Sequence, residues 1–137
     1  MDTIVVGYDE TEPAKRALAR AAELAAAFKA KIIVTSVAPV LVPGPRGMGG
    51  IDPVDSPELH AEELKHARAF LSELGVEAAY QPATGDPAGT IVEVAAREGA
   101  DLIVVGTREP GIVERILNQS VSASVARKSH CDVLIVH

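Results

Sequence analysis

Five short apolar runs alternate along the chain with stretches in which apolar residues recur every three or four positions. The runs are residues 4–7, 31–38, 76–81, 101–105 and 132–136. They are rich in β-branched side chains and leucine, which favour buried strands. The stretches between them have the spacing of amphipathic helices. The pattern therefore predicts the order β-α-β-α-β-α-β-α-β.

The first predicted helix follows the strand at residues 4–7. Thr11 is placed to cap its N-terminus, and Pro13 falls in the first turn, where proline is well tolerated. Its apolar residues share one face, which we expect to pack on the sheet: Ala14, Ala17, Leu18, Ala21, Leu24, Ala25 and Phe28.

The other three helices have similar start and stop signals. The second starts at residues 56–58 and ends at Gly75, the third runs from Asp86-Pro87 to Gly99, and the last spans about 118–128. Their predicted inward residues are Leu64, Ala67, Phe70, Leu71 and Leu74 in the second, Ile91, Val94 and Ala95 in the third, and Leu117, Val121 and Val125 in the last.

Strands that alternate with helices imply a parallel sheet with right-handed crossovers. We predict one α/β domain over residues 1–137, a doubly wound, Rossmann-like sheet with strand order 3-2-1-4-5 and helices on both faces. In that order the winding reverses between strands one and four, and ligands of such folds bind outside the carboxyl ends of the strands there. The residues that follow these two strands are Tyr8, Asp9, Gly106 and Thr107.

Residues 39–57 interrupt the alternation with a segment rich in glycine and proline. It is long for a loop in a compact domain, and no Gly-Lys-Ser/Thr follows that would make it a phosphate-binding P-loop. We expect a flexible surface loop.

Composition narrows the class of protein. The 137 residues are 47% apolar but only 3% aromatic, so the core must consist of Ala, Val, Ile and Leu. With a net charge of −6, the chain is not expected to have the positively charged surface that binds nucleic acid. The single cysteine, Cys131, makes no intrachain disulfide, and no apolar run has membrane-spanning length. We expect a cytoplasmic protein without a membrane or nucleic-acid partner.

The segment after the fourth strand has the features of an anion site. Gly106 ends the strand, a loop follows, and Ser120 and Ser122 lie near the start of the last helix. A glycine turn exposes backbone amides, and a helix N-terminus favours negative charge, so this order of elements is suited to a phosphate.

No combination of residues predicts a metal centre or a catalytic group. His60 and His66 are six positions apart, whereas two ligands on one helix face need a spacing of three or four. His130 and Cys131 are adjacent, and neighbours in an extended chain point apart. No Ser-His-Asp order or nucleophile elbow stands out. We therefore expect no enzyme activity and no catalytic cofactor.

The chain resembles the universal stress protein family over essentially its whole length. Five runs carry the resemblance: IVVGYD (4–9), TSVAP (35–39), GDP (85–87), DLIVVGTR (101–108) and SVSASVARKSHCDVLIV (120–136). The resemblance implies a small cytoplasmic protein, commonly a homodimer, and one branch of the family binds ATP.

The ATP-binding branch has a motif after strand four: Gly, two residues, Gly, nine residues, Gly, then Ser or Thr. Gly106 matches its first glycine and Ser120 its hydroxyl, whereas Glu109 and Gln119 replace the other two glycines. By the same resemblance, Asp9 and Val37 match adenine-side positions, and Val121 and Ser122 match residues that face phosphates. The resemblance therefore implies that the base half of the crevice is intact and that the triphosphate half is degenerate.

Three functions remain open on these residues. The first is a stress-response module that binds an adenine nucleotide, ATP or AMP, weakly. The second is an ATP-dependent switch, and the third is a protein-interaction dimer without a ligand, with a protein partner that the sequence does not name. An adenylating enzyme ranks below them, because GYDETEP lacks the required pyrophosphate loop and no His-x-x-His occurs.

The last strand predicts the dimer contact. It lies at the sheet edge in the proposed order, and Val133, Leu134, Ile135 and Val136 make it apolar on both faces. An uncovered edge of this kind pairs readily with another chain, so we expect a two-fold homodimer through this strand.

Overall fold

The computed structural model describes residues 1–38, 57–107 and 121–137, and within these ranges it has the predicted element order. The strands are β1 Thr3–Gly7, β2 Lys31–Ala38, β3 Ala78–Thr84, β4 Leu102–Gly106 and β5 Asp132–Val136. The helices are α1 Glu12–Phe28, α2 Pro57–Glu73, α3 Pro87–Glu98 and α4 Val121–Lys128. Of the loop expected at residues 39–57, Pro57 is the first residue of α2, and residues 39–56 lie outside the described residues, as do Glu109, Gln119 and Ser120.

The five strands form one parallel sheet with the order β3-β2-β1-β4-β5, which confirms the predicted fold class. β1 is central: Val5 is in register with Ile33 of β2 and with Ile103 of β4. The winding therefore reverses between β1 and β4, as expected for a doubly wound sheet.

Side chains that alternate along the strands form two apolar layers. Ile4 and Val6 of β1, with Tyr8 directly after the strand, pack towards α1 and α2, and Val5 packs on the opposite face with α3 and α4. The largest side chains that are completely buried are aliphatic, as the shortage of aromatic residues required.

The helix ends follow the local signals in the sequence. The Thr11 hydroxyl accepts a hydrogen bond from the Ala14 amide at 3.2 Å, and the Asp86 carboxylate accepts one from the Gly89 amide at 2.8 Å. Gly99 ends α3 in the left-handed conformation, with φ of 65°. These contacts confirm the predicted starts of α1 and α3 and the predicted end of α3.

Three of the described residues that were expected to face inward are exposed, and Leu117, also expected to do so, lies outside the described residues. Phe28 and Leu74 are 54% and 52% exposed, because each lies where its helix ends and the chain turns away from the sheet. Val121, the first residue of α4, is also exposed, although Val125 on the same face of the helix is completely buried.

The third strand was predicted at residues 76–81, and its observed bounds are Ala78–Thr84. Val76 belongs to the turn that follows α2, because its amide donates to the Leu71 carbonyl at 2.9 Å. The strand continues through Pro82 because β3 is at the sheet edge, where proline is tolerated.

Candidate ligand-binding crevice

The carboxyl ends of β1, β2 and β4 lie next to one another at the reversal of the winding. The sheet order brings together the ends of the strands that carry three of the predicted site residues: Asp9 follows β1, Val37 is near the end of β2, and Gly106 ends β4. Tyr8 connects the first two ends, since its amide donates to the Thr35 carbonyl at 2.9 Å.

Asp9 is exposed and forms a tight turn into α1. Its Oδ1 accepts hydrogen bonds from the Thr11 amide at 3.2 Å and from the Thr11 hydroxyl at 2.7 Å. The described residues donate no hydrogen bond to Oδ2. The carboxylate is thus oriented by one oxygen, and the other can accept a hydrogen bond.

Glu10, which lies between Asp9 and Thr11, has a left-handed backbone conformation with φ of 63°. Non-glycine residues rarely adopt this conformation, and it carries a modest strain. The Glu10 carboxylate is hydrogen-bonded to Nδ1 of His66 on α2. The turn that presents Asp9 is therefore connected to α2 as well as to α1.

Val37 is buried, and it packs on the α3 side of the sheet with Ile33, Ala88 and Ile91. Val37 is therefore a residue of the apolar core. It is next to the last residue of β2 and so lies near the carboxyl end of that strand.

Gly106 is in close contact with the start of α1. A Cβ atom at this position would lie 2.5 Å from the carbonyl carbon of Pro13 and 2.7 Å from the Ala14 nitrogen. The glycine is thus required by helix packing, independently of any ligand. The adjacent Thr107 amide donates to the Val136 carbonyl at 2.8 Å, which holds the end of β4 against β5.

The predicted phosphate-side residues are described in part. Val121 and Ser122 form the first turn of α4, Val121 exposed and Ser122 buried, whereas Ser120 lies outside the described residues.

The β1 end of the crevice is negatively charged. Burial first, and then the nearby carboxylates of Glu10, Glu63, Asp9 and Glu12, raise the pKa of the Tyr8 hydroxyl to about 12. Tyr8 is therefore neutral at physiological pH. The carboxylates at this end favour a ligand with few negative charges close to them.

A buried polar cluster lies on the other face of β2, and sequence analysis missed it. The Ser36 oxygen is 2.6 Å from Nδ1 of His60 and 3.4 Å from Oε2 of Glu63. A usable signal was the spacing of residues 60, 63, 64, 67 and 71, which places His60 and Glu63 on the apolar face of α2.

This cluster does not have the arrangement of a catalytic triad. Ser36 and Glu63 both approach the same ring nitrogen of His60, whereas a triad uses the two nitrogens separately. The Ser36 side chain is also completely buried and out of reach of a substrate.

Among the described residues there is no group of three or more His, Cys, Asp or Glu arranged for a metal ion. No helix within the described ranges is long and apolar enough to cross a membrane.

Comparison with protein families adds to this geometry. The model of the universal stress protein family matches residues 1–137. The universal stress protein MJ0531 of Methanocaldococcus jannaschii is 34% identical over 136 residues, which cover 97% of this chain and 80% of that protein. The stress response protein NhaX of Bacillus subtilis is 32% identical over 161 residues, 98% of this chain and 97% of the relative.

Solved structures show the same fold with bound nucleotides. A universal stress protein crystallised in complex with cAMP has a TM-score of 0.77 and 31% identity, with 99% of this chain and 97% of the other covered. A universal stress protein from Archaeoglobus fulgidus in complex with dAMP has a TM-score of 0.72 and 25% identity, with 100% and 98% covered.

Proposed function

Since the chain belongs to the universal stress protein family, we propose that it is a non-catalytic stress-response module that binds an adenine nucleotide. The crevice at the carboxyl ends of β1 and β4 is the binding site. The observation that carries the proposal is the position of Asp9 at the reversal of the winding, with Oδ1 held by Thr11 and Oδ2 able to accept a hydrogen bond.

A monophosphate is the preferred ligand. The neighbours in complex with cAMP and dAMP hold nucleotides with one phosphate, which supports a crevice of this type. The carboxylates around the end of β1 oppose a ligand that brings several negative charges, and ATP brings more than AMP. This preference agrees with the two missing glycines of the ATP-binding motif.

Glu109 and Gln119 stand at two glycine positions of the ATP-binding motif, and Glu109 should reduce the affinity for ATP more than Gln119 does. A carboxylate ~5 Å from a phosphate charge would be repelled by roughly 3 kcal/mol at an effective dielectric constant of ~20. That energy corresponds to about two orders of magnitude in affinity. Gln119 is neutral, so its cost is mainly steric.

We propose no catalytic step for this protein. In the part of the chain that the structure describes, the hydroxyl and imidazole closest to each other are those of Ser36 and His60, and both side chains are buried. Binding, rather than bond-making, is the function that the exposed residues of the crevice support.

We also propose a homodimer through β5. Val133 and Ile135 pack towards α4, and Leu134 and Val136 towards α1, so both faces of the edge strand are apolar and only partly covered by the described residues. The opposite edge, β3, contains Pro82, which lacks an N–H and protects the edge from pairing. Of the two edges, β5 is the one suited to a second copy of the chain.

Calorimetry with AMP, cAMP and magnesium-ATP tests the nucleotide proposal. We expect AMP or cAMP to bind more tightly than ATP. Asp9→Asn keeps an oxygen for Thr11 and replaces the other oxygen with an amide, so it should weaken AMP binding about tenfold, the effect of one lost hydrogen bond to a charged group. An unchanged melting temperature in this variant would show that the turn is intact.

The double change Glu109→Gly with Gln119→Gly tests the phosphate preference. It should strengthen ATP binding far more than AMP binding. Tight ATP binding by the unmodified protein, with no response to the double change, would favour the ATP-dependent switch. A folded protein that binds none of the three nucleotides would refute the proposal in favour of an interaction dimer.

A further inference from the structure

His60 is a buried histidine with one ring nitrogen that has no hydrogen-bond partner among the described residues. Its Nδ1 is 2.6 Å from the Ser36 oxygen and 3.5 Å from Oε1 of Glu63. The residue is 8% exposed, and Nε2 is buried within the structure. Glu63 and Ser36 are 7% and 0% exposed, so the three polar groups are enclosed together between α2 and β2.

The two ring nitrogens of His60 have different surroundings, since Nδ1 lies beside Ser36 and Glu63 and Nε2 has no hydrogen-bond partner among the described residues. With one proton, on Nδ1, His60 donates to Ser36, and the Ser36 hydroxyl donates to Glu63. A second proton would be carried by Nε2, where no described group accepts a hydrogen bond. Leaving a buried charged donor unpaired costs more than leaving a neutral lone pair unpaired. Water would solvate this N–H only if α2 moved away from β2.

The charged groups on the neighbouring elements do not supply the missing acceptor. From β1, the neutral Tyr8 hydroxyl lies near Glu63, and the carboxylate of Glu10 is engaged by His66. On the β3 side, the Arg68 guanidinium lies 4.6 Å from the centre of the Tyr80 ring, and a guanidinium has no acceptor to offer. Lys65 pairs with Glu62 on the exposed face of α2.

The cluster is connected to the crevice through the backbone. Ser36 precedes Val37 on β2, and the two side chains point to opposite faces of the sheet. His66 lies six residues after His60 on the same helix, and it bonds Glu10, the neighbour of Asp9. A movement of the first half of α2 would therefore act on both base-side residues.

We propose that His60 is a proton-sensitive positioning residue, and that proton uptake on Nε2 loosens the first half of α2 from the end of β2 and weakens nucleotide binding in the crevice. The crevice part of this inference rests on the proposed function, whereas the loosening of α2 does not.

Hydrogen exchange of the ligand-free protein at pH 7.5 and pH 5.5 is the first test, with each rate corrected for the intrinsic effect of pH. We expect protection of residues 60–67 to fall at the lower pH by about tenfold or more, with protection of β4 unchanged. His60→Asn keeps a donor near Ser36 and removes the titrating ring, so it should abolish the change. His66→Asn is the matched control, and it should retain the change.

Binding of AMP at the same two pH values is the second test. The unmodified protein should bind AMP several-fold more weakly at pH 5.5, and His60→Asn should show no such difference. If His60→Asn does not fold, His60→Gln replaces it. Unchanged exchange in the unmodified protein, or the same change in the His60 variant, overturns the inference. AMP affinity that is independent of pH overturns its link to the crevice, whereas no AMP binding at either pH refutes the proposed function and leaves exchange to decide the loosening of α2.

Discussion

Gly106, at the end of β4, lies against the backbone of Pro13 in the first turn of α1. A Cβ atom on Gly106 would be 2.5 Å from the Pro13 carbonyl carbon and 2.7 Å from its oxygen. The two residues are 93 positions apart in the chain (106 − 13). Their contact determines how closely α1 approaches the sheet beside the crevice. Helix packing alone therefore requires a glycine at position 106, whether or not a phosphate binds nearby.

The first prediction concerns this contact. Gly106→Ala should destabilise the protein by about 1–3 kcal/mol, the usual cost of forcing extra atoms into a packed interior, because the obstacle is backbone. Gly7→Ala is the control. Its Cβ would meet the end of the Ile91 side chain at 2.7 Å, which can rotate away, so its cost should be smaller. Urea denaturation measures both, and equal stability of the Gly106 variant and the parent would contradict the packing argument.

The second prediction concerns Tyr8. Burial raises the pKa of its hydroxyl to about 12, above the ordinary value of 10.0, so the folded state prefers the protonated form. The resulting stabilisation is fully present below pH 10.0 and is lost as the pH rises through about 12. The free energy of unfolding should therefore fall across this alkaline range, and Tyr8→Phe should make the fall less steep.

The chain offers a direct assay for this titration, since it has two tyrosines. In Tyr80→Phe, the ultraviolet absorbance of tyrosinate reports Tyr8 alone, and in Tyr8→Phe it reports Tyr80 alone. We expect the Tyr8 signal to appear well above pH 10.0. A midpoint for Tyr8 at or below that pH would show that the hydroxyl is not held in the environment described here.

The third prediction concerns Asp101, which precedes β4. Its Oδ2 accepts hydrogen bonds from the amides of Asp2 at 2.7 Å and Thr3 at 3.0 Å, and these bonds hold its pKa below the ordinary 3.8. The carboxylate therefore stabilises the fold above that value and ceases to do so as the pH falls through the lowered pKa.

Asp101→Asn should lower the stability at neutral pH and reduce its dependence on acid pH. Asn keeps one acceptor oxygen, so Asp101→Ala should lose more stability than Asp101→Asn. Unfolding followed by circular dichroism across the acid range compares the three proteins. If the parent and the Asn variant lose stability equally as pH falls, then Asp101 does not make the proposed contribution.

The fourth prediction concerns the dimer. The Val136 carbonyl accepts from Thr107 at the end of β4, so the amide of Ile135, one residue away, points to the open edge. Ile135→Pro should remove an intermolecular donor and leave the bonds to β4 in place. We expect a dimer for the parent and a monomer for this variant in light scattering.

Leu134→Pro is the matched comparison for this variant. The amide of Leu134 points towards β4, like that of Val136, so its loss should destabilise the monomer itself. A parent protein that is monomeric at micromolar concentration would rule out the β5 dimer. A dimer that persists in Ile135→Pro would mean that another surface forms the contact.

The sequence by itself determined the elements of the fold and their order. Caps such as Thr11 and Asp86 act within three residues of their own position, and the apolar runs decide which segments become buried strands, so these signals are local. The parallel sheet and its order then follow from chirality and short connections, which apply to all chains of this pattern. Asp9 at the reversal of the winding was predictable for the same reason.

Only the tertiary structure decided which distant residues meet. Nothing near Gly106 in sequence indicates that Pro13 excludes a side chain there, and nothing near Ser36 indicates that it bonds His60, 24 positions away. The exposure of Phe28 and Leu74 likewise depends on where each helix leaves the sheet, although their spacing fits an inward face. Such contacts arise from the relative placement of packed elements, and side-chain periodicity along one element carries no information on it.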